Sequence, residues 1–375
     1  MTHTPPIHMV DLQGQYLHIK EEIDGAMAEV VASSAFINGP QVARFANTLA
    51  AYLDVPYVIP CANGTDALQI AFMSLGLKPG DEVIVPAFTY AATAEAAALL
   101  HLVPVMADVD LNNFNILPQE LDKAWSPKTK AVVPVHLFGQ CADMEPILEW
   151  AKERGVFVVE DAAQALGTMY AKSGKRAGTM GDIGCTSFFP SKNLGCFGDG
   201  GALFTKDPKL AEQIWMIARH GQREQYLHEV LGCNSRLDTL QAAVLEVKLK
   251  YLDTYHVARY TAAQRYTQEL KEIEQLICPS EELYSTHVYH QYTLRVGKGL
   301  RDGLKRHLAD AAIPSMIYYP LPLHQQRAFS SISRVSGSLA HTQKLCEEVL
   351  SLPIHTELTP EIQQRITQQI KNFFK

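Results

Sequence analysis

The sequence has no long uninterrupted hydrophobic run and no sustained basic tract. Its most apolar stretch, residues 91–107, is interrupted by Glu95, His101 and Pro104, and the amino terminus lacks a cationic segment followed by an apolar one. We therefore expect neither a membrane span nor an export signal. The formal net charge is −7, so non-specific nucleic-acid binding has no electrostatic support and no nucleic-acid partner is expected.

Paired cysteines are also missing. The seven cysteines are odd in number, scattered, and never spaced as C-x-x-C. This pattern predicts neither a disulfide framework nor a zinc site, so no metal is expected and a reducing compartment such as the cytoplasm is the predicted location. With 375 residues, 47% of them hydrophobic, the chain can bury a large core and is long enough for one large domain and a smaller one.

Short apolar runs alternate with helical patterns in the first part of the chain. Strands are predicted at 57–61, 82–85, 103–107, 131–135 and 156–160, with helices at 66–75, 91–100, 118–124 and 144–153. Two further helices are predicted before them, at 15–31 and 41–53. This alternation predicts an α/β fold with a mostly parallel sheet covered by helices on both faces. Ligands of such sheets bind beyond the carboxyl ends of the strands.

The pattern changes near Tyr251. A long polar and aromatic helix is predicted at 237–273, followed by a strand at 291–296, a helix at 300–312 and two C-terminal helical stretches. We therefore predict a large domain over residues 1–250 and a smaller α+β domain over residues 251–375.

A single lysine, Lys192, lies among small, aromatic and turn-forming residues between Gly181 and Gly201. This setting suits a partly desolvated amine, which can form a Schiff base with a carbonyl substrate or with pyridoxal phosphate. An ordinary solvated loop lysine is the alternative. The nearby glycines also resemble a dinucleotide-binding fingerprint, but residues 202–205 after them have strand character where that fingerprint needs a helix.

Other candidate groups follow the predicted strands in chain order. The stretch from Asn63 to Asp66 opens a helix, where free backbone amides and a hydroxyl suit a phosphate, although simple capping is the alternative. Tyr90 offers a ring for stacking or for packing. Asp161 ends an apolar strand and needs a cationic partner, which a protonated pyridine nitrogen or an arginine would supply. Ser187 adds a second hydroxyl for a phosphate.

Six motifs contain these residues and run across nearly the whole chain. They are CANGTDAL (61–68), PAFTY (86–90), EDAAQ (160–164), SFFPSKNLG (187–195), NSRLD (234–238) and YPLPLH (319–324). In this order they resemble the DegT/DnrJ/EryC1/StrS family of sugar aminotransferases, a branch of the fold-type I pyridoxal phosphate enzymes. The resemblance implies that fold, with pyridoxal 5'-phosphate as the cofactor.

The resemblance also implies a role for each matched residue. Lys192 and Asp161 would be catalytic: Lys192 would form the Schiff base and move protons, and Asp161 would pair with the pyridine nitrogen. The implied cofactor-binding residues are Gly64, Thr65, Tyr90, Asp161, Gln164, Ser187, Lys192 and Asn234. In the family the asparagine at the position of Asn234 reaches the phosphate bound by a neighbouring subunit, which implies a homodimer with shared active sites.

The implied reaction moves an amino group from L-glutamate, which leaves as 2-oxoglutarate, to a nucleotide-linked keto sugar. Residues 61–70, 139–143, 218–222 and 234–243 look closest to members that act on UDP-2-acetamido-2-deoxy-3-oxo-glucuronic acid in surface-polysaccharide (O-antigen, lipopolysaccharide) synthesis. The implied substrate-binding residues are Arg236, Tyr318, Tyr319 and His324. A guanidinium binds carboxylates bidentately, so Arg236 would serve either the uronate or glutamate.

Alternatives stay open within this resemblance. Tyr318 stands where close relatives often have a histidine, so a neutral 3-keto or 4-keto sugar is another candidate substrate. A related branch that dehydrates sugars has histidine at the position of Lys192, and the lysine argues against that reaction. A pyridoxal phosphate-binding regulator is a non-enzymatic alternative, but such proteins typically add a basic DNA-binding domain, for which the chain has no spare segment.

Overall fold

The computed structural model describes residues 6–375. It contains 15 strands: β1 (Tyr57–Cys61), β2 (Glu82–Pro86), β3 (Val103–Ala107), β4 (Thr129–Val132), β5 (Phe157–Asp161), β6 (Met169–Tyr170), β7 (Lys175–Arg176), β8 (Ile183–Ser187), β9 (Gly201–Thr205), β10 (Gln222–Glu224), β11 (Leu227–His228), β12 (Leu276–Ile277), β13 (Tyr292–Val296), β14 (Arg334–Val335) and β15 (Val349–Leu352). Eight of them form the central sheet in the order β1-β9-β8-β5-β4-β2-β3-β14. Only β9 runs antiparallel to its neighbours among these described strands, which confirms the predicted mostly parallel sheet.

Helices accompany the strands along the chain. They are α1 (Leu12–His18), α2 (Lys20–Ser33), α3 (Pro40–Leu53), α4 (Gly64–Ser74), α5 (Ala92–Leu99), α6 (Leu121–Ala124), α7 (Met144–Arg154), α8 (Pro208–Ile217), α9 (Thr239–Leu249), α10 (Leu252–Leu270), α11 (Arg301–Asp310), α12 (Ala340–Glu348) and α13 (Pro360–Phe373), with 3-10 turns at Pro118–Glu120, Leu137–Gly139 and Leu323–Gln325. None of the helices in residues 6–375 is long and apolar enough to cross a bilayer.

The central sheet is buried on both faces because successive side chains of a strand point to opposite sides. In β2, Val83 and Val85 pack in one core with residues of α4, α5 and α8. Ile84, between them, packs in a separate core with residues of α6 and α7. The strands therefore read in the sequence as continuous apolar runs without alternation, as expected of a parallel sheet covered by helices.

Two of the predicted long helices are wrong, because each is broken in the structure. The predicted helix at 237–273 consists of α9 and α10, and the one at 15–31 is divided between α1 and α2. Ile19 stands at one break with backbone angles outside the helical region (φ −122°, ψ 21°), whereas Tyr251 at the other break stays at the edge of that region (φ −102°, ψ −3°). Neither break contains a glycine or a proline, so the hydrophobic period continues across both.

The C-terminal part of the chain has a small sheet of its own, in the order β12-β13-β15. Tyr266 of α10, Leu308 of α11 and Ile366 of α13 pack with Leu294 of this sheet in one core. The short β14 instead returns to the central sheet beside β3, a contact that the sequence did not indicate. The division of the chain into domains at residue 250 stays a prediction.

Candidate active site

A cavity of about 630 Å³ opens at the carboxyl ends of β1, β2, β5 and β8. It contains nine of the twelve residues predicted for the site: Gly64, Thr65, Tyr90, Asp161, Gln164, Ser187, Lys192, Tyr318 and Tyr319. The first seven stand at the carboxyl ends of the four strands or shortly after them, and the two tyrosines come from a segment more than 120 residues further along the chain. Tertiary folding thus brings together residues that the sequence presents as separate motifs.

The start of α4 has the features of an anion site. The side chain of Asn63 caps this helix by accepting a hydrogen bond from the backbone N–H of Asp66 at 2.8 Å. The first amides of a helix have no partner within it, and the positive end of its dipole attracts anions. A Cβ atom added to Gly64 would lie 2.7 Å from Cβ of Ser187, so only glycine lets the serine approach the helix start so closely. Amides and hydroxyls therefore converge where a phosphate fits.

Asp161 is the last residue of β5 and is 8% exposed. One carboxylate oxygen accepts a hydrogen bond from the hydroxyl of Thr93 at 2.8 Å, and the other accepts one from the backbone N–H of Ala163 at 3.2 Å. Within residues 6–375 no lysine or arginine forms an ion pair with this carboxylate, in contrast to the arginine partner considered from the sequence. A buried carboxylate that forms no ion pair with a protein cation is suited to a cationic ligand.

Lys192 lies across the cavity in a tightly closed loop. Its backbone N–H donates to the carbonyl of Phe189 at 2.8 Å, and the N–H of Cys196 donates to Phe188 at the same distance. Burial lowers the pKa of Lys192 to about 8, although the carboxylate of Asp161 partly offsets this effect. A larger fraction of the amine is therefore neutral near physiological pH than in a solvated lysine, as a nucleophile or base requires.

Gln164 and Tyr319 form a fixed pair on one side of the cavity. The Gln164 side chain accepts a hydrogen bond from the N–H of Phe138 at 2.8 Å and donates one to the Tyr319 hydroxyl at 3.2 Å. Burial raises the pKa of Tyr319 above its usual value, so its hydroxyl keeps its proton. Tyr90 is 61% exposed, and its ring centre lies 6.3 Å from that of Tyr319. The exposed ring face of Tyr90 is accessible for stacking.

The remaining three predicted residues lie outside this cavity. Asn234 and Arg236 line a neighbouring pocket of about 480 Å³, which shares Asp199 with the first. His324 lies on the 3-10 turn at Leu323–Gln325 and lines neither of these two pockets. Within one copy of the chain, these three side chains therefore do not join the group around Lys192, and their roles stay predictions.

Several cavity residues were missed by the sequence reasoning. Thr89 and His290 are 2% and 4% exposed, and Thr89 Oγ1 and His290 Nδ1 have no hydrogen-bond partner among residues 6–375. Gln291 and Asp199 also line the cavity. Thr89 belongs to the PAFTY motif and follows β2, so its position after a strand could have identified it as a ligand-binding residue. His290 and Gln291 precede β13 instead of following a strand, so their positions in the sequence do not mark them as ligand-binding residues.

Comparison with known proteins decides the family. The model of the DegT/DnrJ/EryC1/StrS aminotransferase family matches residues 17–371. The chain belongs to this family. It is therefore a sugar aminotransferase that depends on pyridoxal phosphate, which confirms the family, fold, enzyme class and cofactor expected from the motifs.

Individual relatives cover nearly the whole chain. The UDP-2-acetamido-2-deoxy-3-oxo-D-glucuronate aminotransferase of Pseudomonas aeruginosa is 45% identical over 352 residues, which are 94% of this chain and 96% of that protein. A pleiotropic regulatory protein of Geobacillus stearothermophilus is also 45% identical, over 371 residues, covering 98% and 99% of the two chains. The structure of S. venezuelae DesV in complex with a ketimine intermediate superposes with a TM-score of 0.95 at 37% identity, covering 99% of each chain.

The cavity of this DegT-family member fits the cofactor. The start of α4 with Ser187 suits the phosphate, Asp161 forms no ion pair with a lysine or arginine among residues 6–375, and burial lowers the pKa of Lys192. The unpartnered Oγ1 atom of Thr89 is a polar group that a ligand would satisfy. When bound, pyridoxal phosphate supplies an electron-poor ring that stabilises negative charge on the reacting carbon.

Proposed function

We propose that this aminotransferase moves an amino group from L-glutamate to a UDP-linked keto sugar, UDP-2-acetamido-2-deoxy-3-oxo-glucuronic acid. The product would be a 3-amino uronate for surface polysaccharides such as O-antigen and lipopolysaccharide, made in the cytoplasm. The support is the 45% identity to a P. aeruginosa enzyme named for that substrate over 94% of this chain. The cavity that contains Lys192 and Asp161 is the observation that carries the transamination chemistry.

In this proposal Lys192 is the residue that moves protons. Its Nζ takes the proton from the alpha carbon of the amino donor, and in the second half of the cycle it returns a proton to the sugar carbon that has received the nitrogen. A pKa near 8 lets the same amine act as base and, once protonated, as acid near neutral pH. Asp161 would pair with the protonated ring nitrogen, held in place by Thr93.

The charge of the cavity supports a homodimer. Of the residues lining it, two are carboxylates, Asp161 and Asp199, and Lys192 is the sole lysine or arginine. A UDP-linked uronate carries a diphosphate and a carboxylate, so further cations are needed. We propose that Asn234 and Arg236 of a second copy, which in one copy line a separate pocket, supply contacts to the bound phosphate and to a carboxylate.

The substrate is tested by mixing the purified protein with L-glutamate and one UDP-sugar at a time, while 2-oxoglutarate is measured. The 3-oxo uronate should give the fastest turnover, ahead of neutral 3-keto and 4-keto sugars. Turnover of a neutral 4-keto sugar alone would contradict the uronate proposal. Cofactor binding without any glutamate-dependent change in absorbance would favour the regulator instead.

Substitution of the reactive amine supplies the chemical control. Lys192→Ala should abolish turnover and the absorbance of the lysine-bound cofactor, because no other described lysine or arginine lines the cavity. Lys209→Ala, at an exposed position of α8, should leave both unchanged. Normal turnover in Lys192→Ala would mean that another group performs the proton transfer.

A further inference from the structure

A buried histidine stands beside the reactive lysine, with one ring nitrogen unused. His290 is 4% exposed and lines the same cavity as Lys192. Its Nδ1 atom is buried and has no hydrogen-bond partner within residues 6–375. Buried polar groups of folded proteins nearly always have a partner, so an unsatisfied one in a cavity wall marks a contact that a ligand or an ordered water completes.

A contact at the limit of hydrogen-bond distance to the neighbouring amide indicates which ring nitrogen carries the proton. The side-chain nitrogen of Gln291 lies 3.5 Å from Nε2 of His290. An amide NH₂ group can only donate, so Nε2 is the acceptor and the neutral ring carries its proton on Nδ1. Burial, reinforced by the positive charges of Lys192 and Arg259, lowers the pKa of His290 well below 6.5 and keeps the ring neutral. The unused group is therefore an N–H donor.

The backbone around His290 is held rigidly. One guanidinium nitrogen of the buried Arg259 donates to the carbonyls of Tyr289 at 3.2 Å and of His290 at 3.4 Å. Tyr289 has a φ of +44°, a conformation that costs free energy in a residue other than glycine. A Cβ atom added to Gly139 would lie 2.9 Å from the backbone nitrogen of His290. A strained and tightly packed backbone is the kind of support that keeps a ligand-binding side chain in place.

We propose that the Nδ1–H group of His290 donates a hydrogen bond to an oxygen atom of the substrate bound beside Lys192, which makes His290 a specificity-determining residue. The oxygen belongs either to the carboxylate of the amino donor or to a hydroxyl or carbonyl group of the keto sugar. The identity of these two substrates rests on the function proposed above, whereas the unsatisfied donor in the cavity wall is independent of that function.

Two variants separate loss of the donor from loss of the ring. His290→Leu keeps apolar bulk and removes the N–H, whereas His290→Asn keeps an amide donor close to the position of Nδ1. We expect His290→Leu to lower kcat/KM on the order of 10-fold or more, with His290→Asn recovering most of the loss. Equal activity of wild type and His290→Leu in both half-reactions would overturn the proposal, as would an asparagine variant no better than the leucine variant.

Measuring the two half-reactions separately identifies the oxygen. A defect confined to the reaction with L-glutamate assigns the bond to the donor carboxylate, and a defect confined to the reaction of the pyridoxamine form with the UDP-sugar assigns it to the sugar. A defect confined to cofactor affinity, measured by titrating the apoprotein, would overturn the assignment to substrate. If the wild type reacts with L-glutamate and with none of the sugars, the sugar proposal fails while this test remains informative.

The protonation of the ring has a readout that does not depend on activity. The ¹⁵N chemical shifts of His290, assigned by their loss in His290→Leu, should show a proton on Nδ1 and none on Nε2. Gln291→Glu should move the proton to Nε2, because a carboxylate accepts where the amide donates. A wild-type ring protonated on Nε2 would contradict the inference directly.

Discussion

Lys248 is a buried lysine that donates a hydrogen bond to the loop containing Lys192. Its titration should change the free energy of unfolding of the protein with pH. Lys248 is 3% exposed, and its ammonium group donates to the carbonyl of Gly195 at 2.7 Å. No carboxylate of residues 6–375 forms an ion pair with it, and the Phe197 ring lies 5.5 Å away. Burial lowers the pKa of Lys248 from 10.5 to about 8.

The direction of the effect follows from proton counting. Between about pH 8 and pH 10.5 the unfolded chain carries a proton on Lys248 that the folded protein has lost, so the free energy of unfolding rises with pH in this window. Below pH 8 both states are protonated, and this group adds no pH dependence. The full difference in pKa corresponds to about 3 kcal/mol, and the side chain is too buried for solvent to screen it.

The test compares urea unfolding of wild type and Lys248→Met at pH 7 and pH 10. Going to the higher pH should stabilise the wild type relative to the variant by about 2–3 kcal/mol, because methionine does not titrate. Other alkaline groups are common to both proteins, so their contributions cancel in this difference. Lys248→Arg should lack the gain as well, since arginine stays charged, and the exposed Lys209→Met should behave as wild type. Parallel pH profiles of wild type and Lys248→Met would refute a buried, charged Lys248.

Two further changes test the surroundings of the site. Gly64→Ala would force the new Cβ atom against Ser187 and should weaken cofactor binding by about 1–3 kcal/mol, measured by titrating the apoprotein. Gly25→Ala is the control, because Gly25 has open space around it and the substitution should leave the affinity unchanged. Equal cofactor affinities of the two variants would contradict the close approach of Gly64 and Ser187. The two carboxylate oxygens of Glu160 accept hydrogen bonds from His136 and three backbone amides, and Glu160→Gln would replace one of these oxygens by an NH₂ group. This change should lower the free energy of unfolding by about 2–5 kcal/mol at pH 7. Burial alone would raise the pKa of Glu160, but its hydrogen bonds, of which the one from His136 has the largest effect, lower the pKa below 4.5. The wild type should therefore lose its greater stability over Glu160→Gln as the pH falls below about 4.5. Equal stability at pH 7 would contradict the role of Glu160.

The cofactor site was accessible from sequence because its parts are local. The strands β1, β2 and β5 are largely apolar runs, and the polar residues at or after their ends must lie at the edge of a parallel sheet where the other strand ends also meet. For this reason Gly64, Tyr90, Asp161 and Lys192 could be placed in one site from their order along the chain. The family resemblance then supplied the cofactor, and comparison with known proteins confirmed it.

The tertiary structure alone decided which distant residues complete the site. His290 enters the cavity through the segment before β13, and Lys248 reaches the loop of Lys192 across 53 residues of chain. The break at Tyr251 contains no glycine or proline, so the hydrophobic periodicity predicted one long helix where the structure has α9 and α10. Local patterns record which face of a strand or helix is buried, whereas contacts between remote segments depend on packing that no single stretch of sequence contains.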